Sequence, residues 1–418
     1  MSAGTDSRPA PPSALAGIAP ERALVIALAL ALGSGIALGL ARFSYALLLQ
    51  PMRTDLSWSW LTAGAMNTVN AAGYLIGALL APRWLARHDA RTILLAGGGA
   101  AAVLLIAHGF VTSDVALYAL RLLTGVASAA VFVAGGVLAA RLGSAHPRRA
   151  GLLLGIYYGG VGSGIVVSSI LVPPVLALAL SHAWQWAWIA LGAAALLGTW
   201  VMMAPTRPMI VTADQARRRA DPFAWRPFAF GLAGYFMFGI GYIGYMTFVI
   251  ALLREQGMGQ GMAVVFFIVL GFGVMVSSWI WAWLLQRARG GEALGLLNGL
   301  LAVATALPVL GSNPVLVFAS GALFGSVFLS LVASTTVLVR HNLDERYWAG
   351  GIAAFTIVFA IGQIVGPTVV GWIADSAGGL ARGFLFSALG LAIGAVLAFG
   401  QRPLPSPSPS PAPDAGPV

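Results

Sequence analysis

The sequence predicts an all-α membrane protein of twelve transmembrane helices in two pseudo-symmetric six-helix bundles. Three observations carry that prediction. Of 418 residues, 59% are hydrophobic and only 9% charged, too few for the polar outer faces that a water-soluble helical domain requires. The apolar residues gather into twelve runs, and those at 23–49, 115–140 and 315–339 each exceed the ~20 residues that cross ~30 Å of hydrocarbon. Arginines concentrate in alternate connections between the runs, a pattern that reports topology.

Taken in order, residues 1–21 form a Pro/Ser/Ala-rich segment expected to be disordered. The run after Arg22 is about twice the length of a signal-peptide core and reads as the first span. The spans of the N-terminal bundle, 22–204, fall at 22–49, 59–81, 92–112, 115–140, 150–172 and 184–204. A long connection, 205–227, carries Arg217, Arg218 and Arg219. The C-terminal bundle, 228–400, follows with spans at 228–252, 262–285, 293–311, 314–339, 348–373 and 381–400. Residues 401–418 form a Pro/Ser tail, also expected to be disordered.

The net charge of +10 comes from 23 basic residues, all of them arginine. Eighteen fall in the termini and connections on the side of the 205–227 loop, three on the other side (Arg53, Arg254 and Arg382), and two inside spans. This asymmetry places both termini and the central loop in the cytoplasm and explains the basic balance without a nucleic-acid partner. The absence of lysine excludes a P-loop and Schiff-base chemistry. The absence of cysteine excludes disulfides, thiolate catalysis and Cys-based metal sites. An Ala/Gly/Arg-rich, lysine-free chain fits a bacterial inner-membrane protein.

The halves repeat at an offset near 200. Gly39, Arg42 and Tyr45 fall opposite Gly239, Tyr242 and Tyr245; Gly125 falls opposite Gly325, and Gly162 opposite Gly362. Trp84 to Arg87 after the second span echoes Trp283 to Arg287 after the eighth. Secondary transporters are often built from such repeats, with the substrate site near mid-membrane between them.

The segments GLARFSYALLLQPMRTDL, GYIGYMTF and GQIVGPTVVGWIADSAGGL resemble the major facilitator superfamily, in particular its bacterial YbfB/YjiJ-type branch, and the resemblance covers residues 20–400. It implies two bundles rocking around a cavity lined by spans 1, 4, 7 and 10, and transport of a small solute. The superfamily's loop signature, Gly-x-x-x-Asp-Arg-x-Gly-Arg, is degraded. The first copy runs from Gly77 to Arg83 and Trp84 without the acid, with Arg87 beyond, and the second has Gln286 in the acid position before Arg287. Arg-x-x-x-Gly survives in span 4 as Arg121 and Gly125. Gly-x-x-x-Gly-Pro, a pattern like the antiporter signature, occurs as Gly362, Gly366 and Pro367, in span 11 rather than span 5.

Arg42 and Arg121 are the sharpest site candidates, because an arginine within a span costs at least ~2.5 kcal/mol on insertion scales unless it meets a cavity or a partner. At 1.5 Å per residue, Arg121 lies ~10 Å from Asp114 and Arg42 ~15 Å from Met52, so both sit at similar depth in the outer half. Tyr118 and Tyr45 lie three residues from them on the same helix faces. The alternative is that Arg42 snorkels outward and Arg121 bonds carbonyls between helices. Asp114 and Asp375 lie at outer helix ends and no carboxylate lies at mid-membrane, so charge balance favours an anionic substrate clamped by guanidinium, with a coupling proton as an option. Further polar candidates are Asn67, Asn70 and Tyr74 on one stripe of span 2, Tyr157 and Tyr158, Tyr242 and Tyr245, and Gln363; interhelical hydrogen bonding is their plain structural role. Gly155 and Gly159, like Gly362 and Gly366, recur at the spacing that lets helices pack closely. Trp186, Trp188, Trp279 and Trp281 read as an interfacial belt or lipid contacts.

The expected function is that of a secondary transporter acting as a monomer in the bilayer, with no cofactor, metal or enzymatic activity. His88, His108, His146, His182 and His341 fall at helix ends or in loops without metal-ligand spacing. A channel or a solute-sensing receptor without coupled transport is the alternative.

Overall fold

The computed structural model describes residues 17–178, 180–209, 223–376 and 378–404; most of both expected disordered ends and of the central loop lies outside these. Among the described residues the chain is helical, and twelve long helices account for nearly all of it. They are α1 (Pro20–Asp55), α2 (Trp60–Leu85), α3 (Ala90–His108), α4 (Asp114–Ala145), α5 (Ala150–Leu176) and α6 (Ala183–Met203). In the second half they are α7 (Ala229–Glu255), α8 (Gln260–Ile280), α9 (Glu292–Leu310), α10 (Pro314–Asn342), α11 (Glu345–Ala374) and α12 (Gly379–Phe399). Eleven spans meet both length and hydropathy requirements for crossing a membrane. The twelfth helix, α2, has the length at 26 residues, but Asn67, Thr68, Asn70 and Tyr74 dilute its apolar character.

Local chemistry sets the helix starts. Ser59 accepts from the Thr62 amide at 3.0 Å, Asp89 from the Arg91 amide at 2.9 Å and Asn313 from the Val315 amide at 2.9 Å, each satisfying a donor left open in the first turn. Several helices run a few residues beyond their apolar runs: α1 reaches Asp55 and α4 reaches Ala145.

The halves are assembled alike. In the first, α1 packs on α5, α2 on α4, and α3 on α4 and α6; in the second, α7 packs on α11, α8 on α10, and α9 on α10 and α12. Close approach depends on glycine at matched places. A Cβ on Gly125 would overlap the Asn70 carbonyl oxygen, and one on Gly325 would overlap that of Leu270. Residues 131–140 and 331–340 also share the same succession of buried and partly exposed positions.

Two seams join the bundles, α5 against α8 and α2 against α11. Along the first, Gly155 faces Trp279, Gly159 faces Met275 and Gly162 faces Gly271. Along the second, Asp375 accepts from the backbone amides of Trp60 at 2.7 Å and Leu61 at 2.9 Å, and Thr68 meets Thr368 at 2.7 Å. These α2–α11 bonds lie in the half remote from the 205–227 loop, and the second half of α1 closes on α7 at that same end. The bundles are joined at that end. Toward the loop end, α4 and α10 are not among the closely packed pairs.

Candidate functional site

Arg42 owes its position to an irregularity in α1. Residues Gly35–Phe43 form a π-helical segment, and the Ser44 amide reaches back five residues to the Gly39 carbonyl at 3.0 Å. Gly35 and Gly39 lie directly against Gly160 and Gly164 of α5, so this stretch is clamped to its neighbour where its own ladder is widened. π-Helical turns are rare and concentrate at functional sites, because the wider turn re-aims the side chains that follow.

Arg121 is fully buried at the centre of the N-terminal bundle. Its Nη1 donates to the Ala41 carbonyl at 2.8 Å and its Nη2 to Asn67 Oδ1 at 3.1 Å. Asn67 Nδ2 donates to Thr247 Oγ1 at 2.7 Å, carrying the network into α7 of the other bundle, and Asn70 Nδ2 donates to the Arg121 carbonyl at 3.0 Å. The rings of Tyr45 and Trp188 lie 5.1 Å and 5.6 Å from the guanidinium carbon, within cation–π reach. The Nε of Arg121 and the Oδ1 of Asn70 are buried without a partner.

Arg42 is 2% exposed and reaches across the bundle interface. Its Nη2 donates to Gln363 Oε1 at 2.6 Å, and Gln363 Nε2 donates to the Tyr242 hydroxyl at 2.9 Å. The Tyr74 ring lies 5.6 Å from the Arg42 guanidinium, whose Nε is also buried without a partner. Behind Tyr242 the C-terminal bundle is aromatic. Tyr242 stacks on Phe328 at 5.6 Å and on Phe238 at 4.7 Å, and Phe238 stacks on Phe359 at 5.1 Å. Glu21, Asp55, Asp89, Asp114, Glu255, Glu292, Asp344 and Asp375 all lie at helix ends, far along their helices from either guanidinium. The site is thus cationic, enclosed and built from both bundles.

The stripe of α2 residues divides between the two arginines, Asn67 and Asn70 serving Arg121 and Tyr74 facing Arg42. Gln363 and Tyr242 join the Arg42 network. The other tyrosines serve packing more directly. The Tyr45 hydroxyl donates to the Ala63 carbonyl at 2.8 Å, that of Tyr118 to Thr62 at 3.0 Å and that of Tyr157 to Phe132 at 2.6 Å. Tyr158 is exposed, edge-on to Tyr157. Tyr245 turns into its own bundle, bonded to Ser320 and stacked on Phe324 at 3.9 Å. Gly362 and Gly366 face the α7 backbone, and the carbonyl of Pro367 stands beside Gly64. Arg83, Arg87, Gln286 and Arg287 are exposed at the loop end.

The tryptophan reading needs correction. Trp186 and Trp279 are outward-facing, but Trp188 is fully buried between His108 and Arg121, and Trp281 is half-buried with its Nε1 on the Ser326 carbonyl at 2.9 Å. A local hydropathy run does not distinguish the lipid face of a span from its bundle face. His108 ends α3 as its position implied, yet it is buried against Trp188 with ring centroids 4.6 Å apart. Thr247, the acceptor that links Asn67 to α7, carries no signal in the sequence. It lies 180 positions from Asn67 and meets it only across the bundle interface.

Residues 34–399 match the family described as "Uncharacterised MFS-type transporter YbfB". The chain is 27% identical over 372 residues to human monocarboxylate transporter 11, covering 83% of this chain and 75% of that protein. It is 28% identical to the mouse protein of the same name over 374 residues, covering 83% and 79%. Among solved structures it is similar to a bacterial homolog of the human lysosomal transporter Spinster in an inward-facing, occupied conformation, with a TM-score of 0.69 at 16% identity, covering 92% of this chain and 97% of that one. The nucleoside transporter NupG gives a TM-score of 0.65 at 16% identity, covering 91% and 97%. The fold and the match over nearly the whole length place this chain in the YbfB-type family of major facilitator superfamily (MFS) transporters.

Proposed function

We propose that this protein is a secondary transporter that moves a small monocarboxylate by alternating access, as a monomer in a bacterial inner membrane. The observation that carries the reading is the pair of buried guanidinium groups, Arg42 and Arg121, each with an Nε that has no partner. Unpaired buried charge is expensive, and a carboxylate offers the two coplanar oxygens that a guanidinium fork binds best. The relatives named as monocarboxylate transporters support that substrate class. The aromatic column behind Tyr242 favours acids with an apolar or aromatic tail.

The excess of arginine at the loop end makes that end cytoplasmic, with both termini there. The conformation described then has its bundles joined toward the outside. Substrate enters from the cytoplasmic side or leaves toward it, and the bundles rock about the Arg42–Arg121 site to expose it alternately. A proton can accompany the acid as its counter-ion.

Uptake and counterflow of labelled pyruvate and phenylpyruvate in proteoliposomes test this reading. The expected result is saturable counterflow of both acids, stronger for phenylpyruvate, with no flux of a neutral sugar or an organic cation. Flux confined to cations or sugars would overturn it.

A further inference from the structure

The bond between Arg42 and Gln363 joins the substrate site to the seam between bundles. Among the described cross-bundle hydrogen bonds, it is the one donated by a guanidinium. The Nε–H and Nη2–H of an arginine form a parallel fork that matches the two oxygens of a carboxylate. In Arg42 one prong is taken, by Gln363 Oε1 at 2.6 Å, and the other, Nε, is buried without an acceptor. A neutral amide oxygen therefore fills half of a site whose geometry and charge suit a carboxylate.

Resting on the carboxylate reading above, we propose that Gln363 is a displaceable stand-in for the substrate, and that its displacement couples loading to separation of the bundles. An arriving carboxylate takes both prongs with charge-assisted bonds, stronger than the single bond to a neutral amide. Gln363 keeps its own bundle through the Tyr242 hydroxyl at 2.9 Å, so the displaced side chain withdraws with α11. Loading thereby cuts a tie across the interface between α1 and α11, while the empty carrier re-forms it. Gln363 is a positioning residue: it governs when Arg42 is free and when the joined end can part. A carrier built this way exchanges substrate faster than it returns empty.

The natural absence of cysteine permits a direct test with the full chain. Three proteins are compared, the otherwise native sequence, Gln363→Ala and Gln363→Glu, each also carrying Thr368→Cys as a reporter on the α2–α11 seam. Phenylpyruvate affinity, the ratio of exchange to net flux, and labelling of the reporter by a hydrophilic thiol reagent are measured. Gln363→Ala should bind phenylpyruvate about tenfold more tightly, label faster without substrate, and lower the exchange-to-net ratio. Gln363→Glu should pair with Arg42 permanently, weaken binding by more than tenfold and suppress labelling. Native binding with unchanged affinity, flux ratio and labelling in both variants would overturn the exchange while leaving the carboxylate reading intact. Failure of the native protein to bind phenylpyruvate or pyruvate would remove the carboxylate reading and the exchange together.

Discussion

The N-terminal bundle holds both buried guanidinium groups, whereas the C-terminal bundle, built on the same helix pairs, buries none among its described residues. The packing repeats in its main helix pairs and at a matched glycine: Gly125 lies against the Asn70 carbonyl as Gly325 lies against that of Leu270. The buried charged and amide residues do not repeat. At the offset of 200, Arg42 corresponds to Tyr242, Asn67 to Phe267, Asn70 to Leu270 and Arg121 to Gly321. The N-terminal bundle therefore supplies the cations, and the C-terminal bundle supplies an aromatic wall and the neutral acceptors Gln363 and Thr247 that reach across. Backbone packing constrains both halves equally because the same helix pairs must approach equally closely. Buried charge is costly, and placing it in one half confines that cost to one network.

The largest effect expected from breaking this division is at Arg121. Arg121→Ala should reduce flux by roughly a hundredfold or more, the scale set by a lost buried charge partner of ~3–5 kcal/mol. It should still insert, since the variant sheds a residue that is costly at mid-span. Flux normalised to the inserted amount checks this. Near-normal flux would reduce Arg121 to a packing residue.

The shared scaffold makes a matched prediction. Gly125→Ala and Gly325→Ala should each lose about 1–3 kcal/mol, the usual cost of overpacking, and the two losses should agree closely. Thermal unfolding in detergent measures both. A loss confined to one half would show that the halves do not share the packing they display.

The smallest effect separates the paired tyrosines. Tyr45 has its ring 5.1 Å from the Arg121 guanidinium, whereas Tyr245 stacks on Phe324. Tyr45→Leu should weaken carboxylate binding about three- to tenfold, a size between the exposed and the fully desolvated limits of a cation–π contact. Tyr245→Leu should lower stability with little change in affinity. Titration of both variants with phenylpyruvate decides between these roles.

Much of the fold was legible in the sequence because a span announces itself by length and composition alone. The twelve helices stand within a few residues of the apolar runs, except where α1 and α4 extend further at one end. Arg42 and Arg121 were legible for the same reason, as charges where hydrocarbon excludes them. What escaped depends on which way a helix faces. The burial of Trp188 and His108 follows from the rotation of α3 and α6 in the bundle, and the hydropathy of either segment is unchanged by that rotation. The π-helical stretch at Gly35–Phe43 is a matter of hydrogen-bond register, to which composition is blind. The pairing of Arg42 with Gln363 spans 321 positions and exists only once the two bundles close.

The proposed function requires recognition of a negative charge by Arg42 and Arg121 of the N-terminal bundle. Its most direct test is a thermal-shift comparison of phenylacetate with its neutral isostere phenylacetamide, on the native protein and on a variant combining Arg42→Gln and Arg121→Gln. Phenylacetate should stabilise the native protein, phenylacetamide should not, and the variant should respond to neither. Equal stabilisation by acid and amide, or a shift that survives in the double variant, would contradict it.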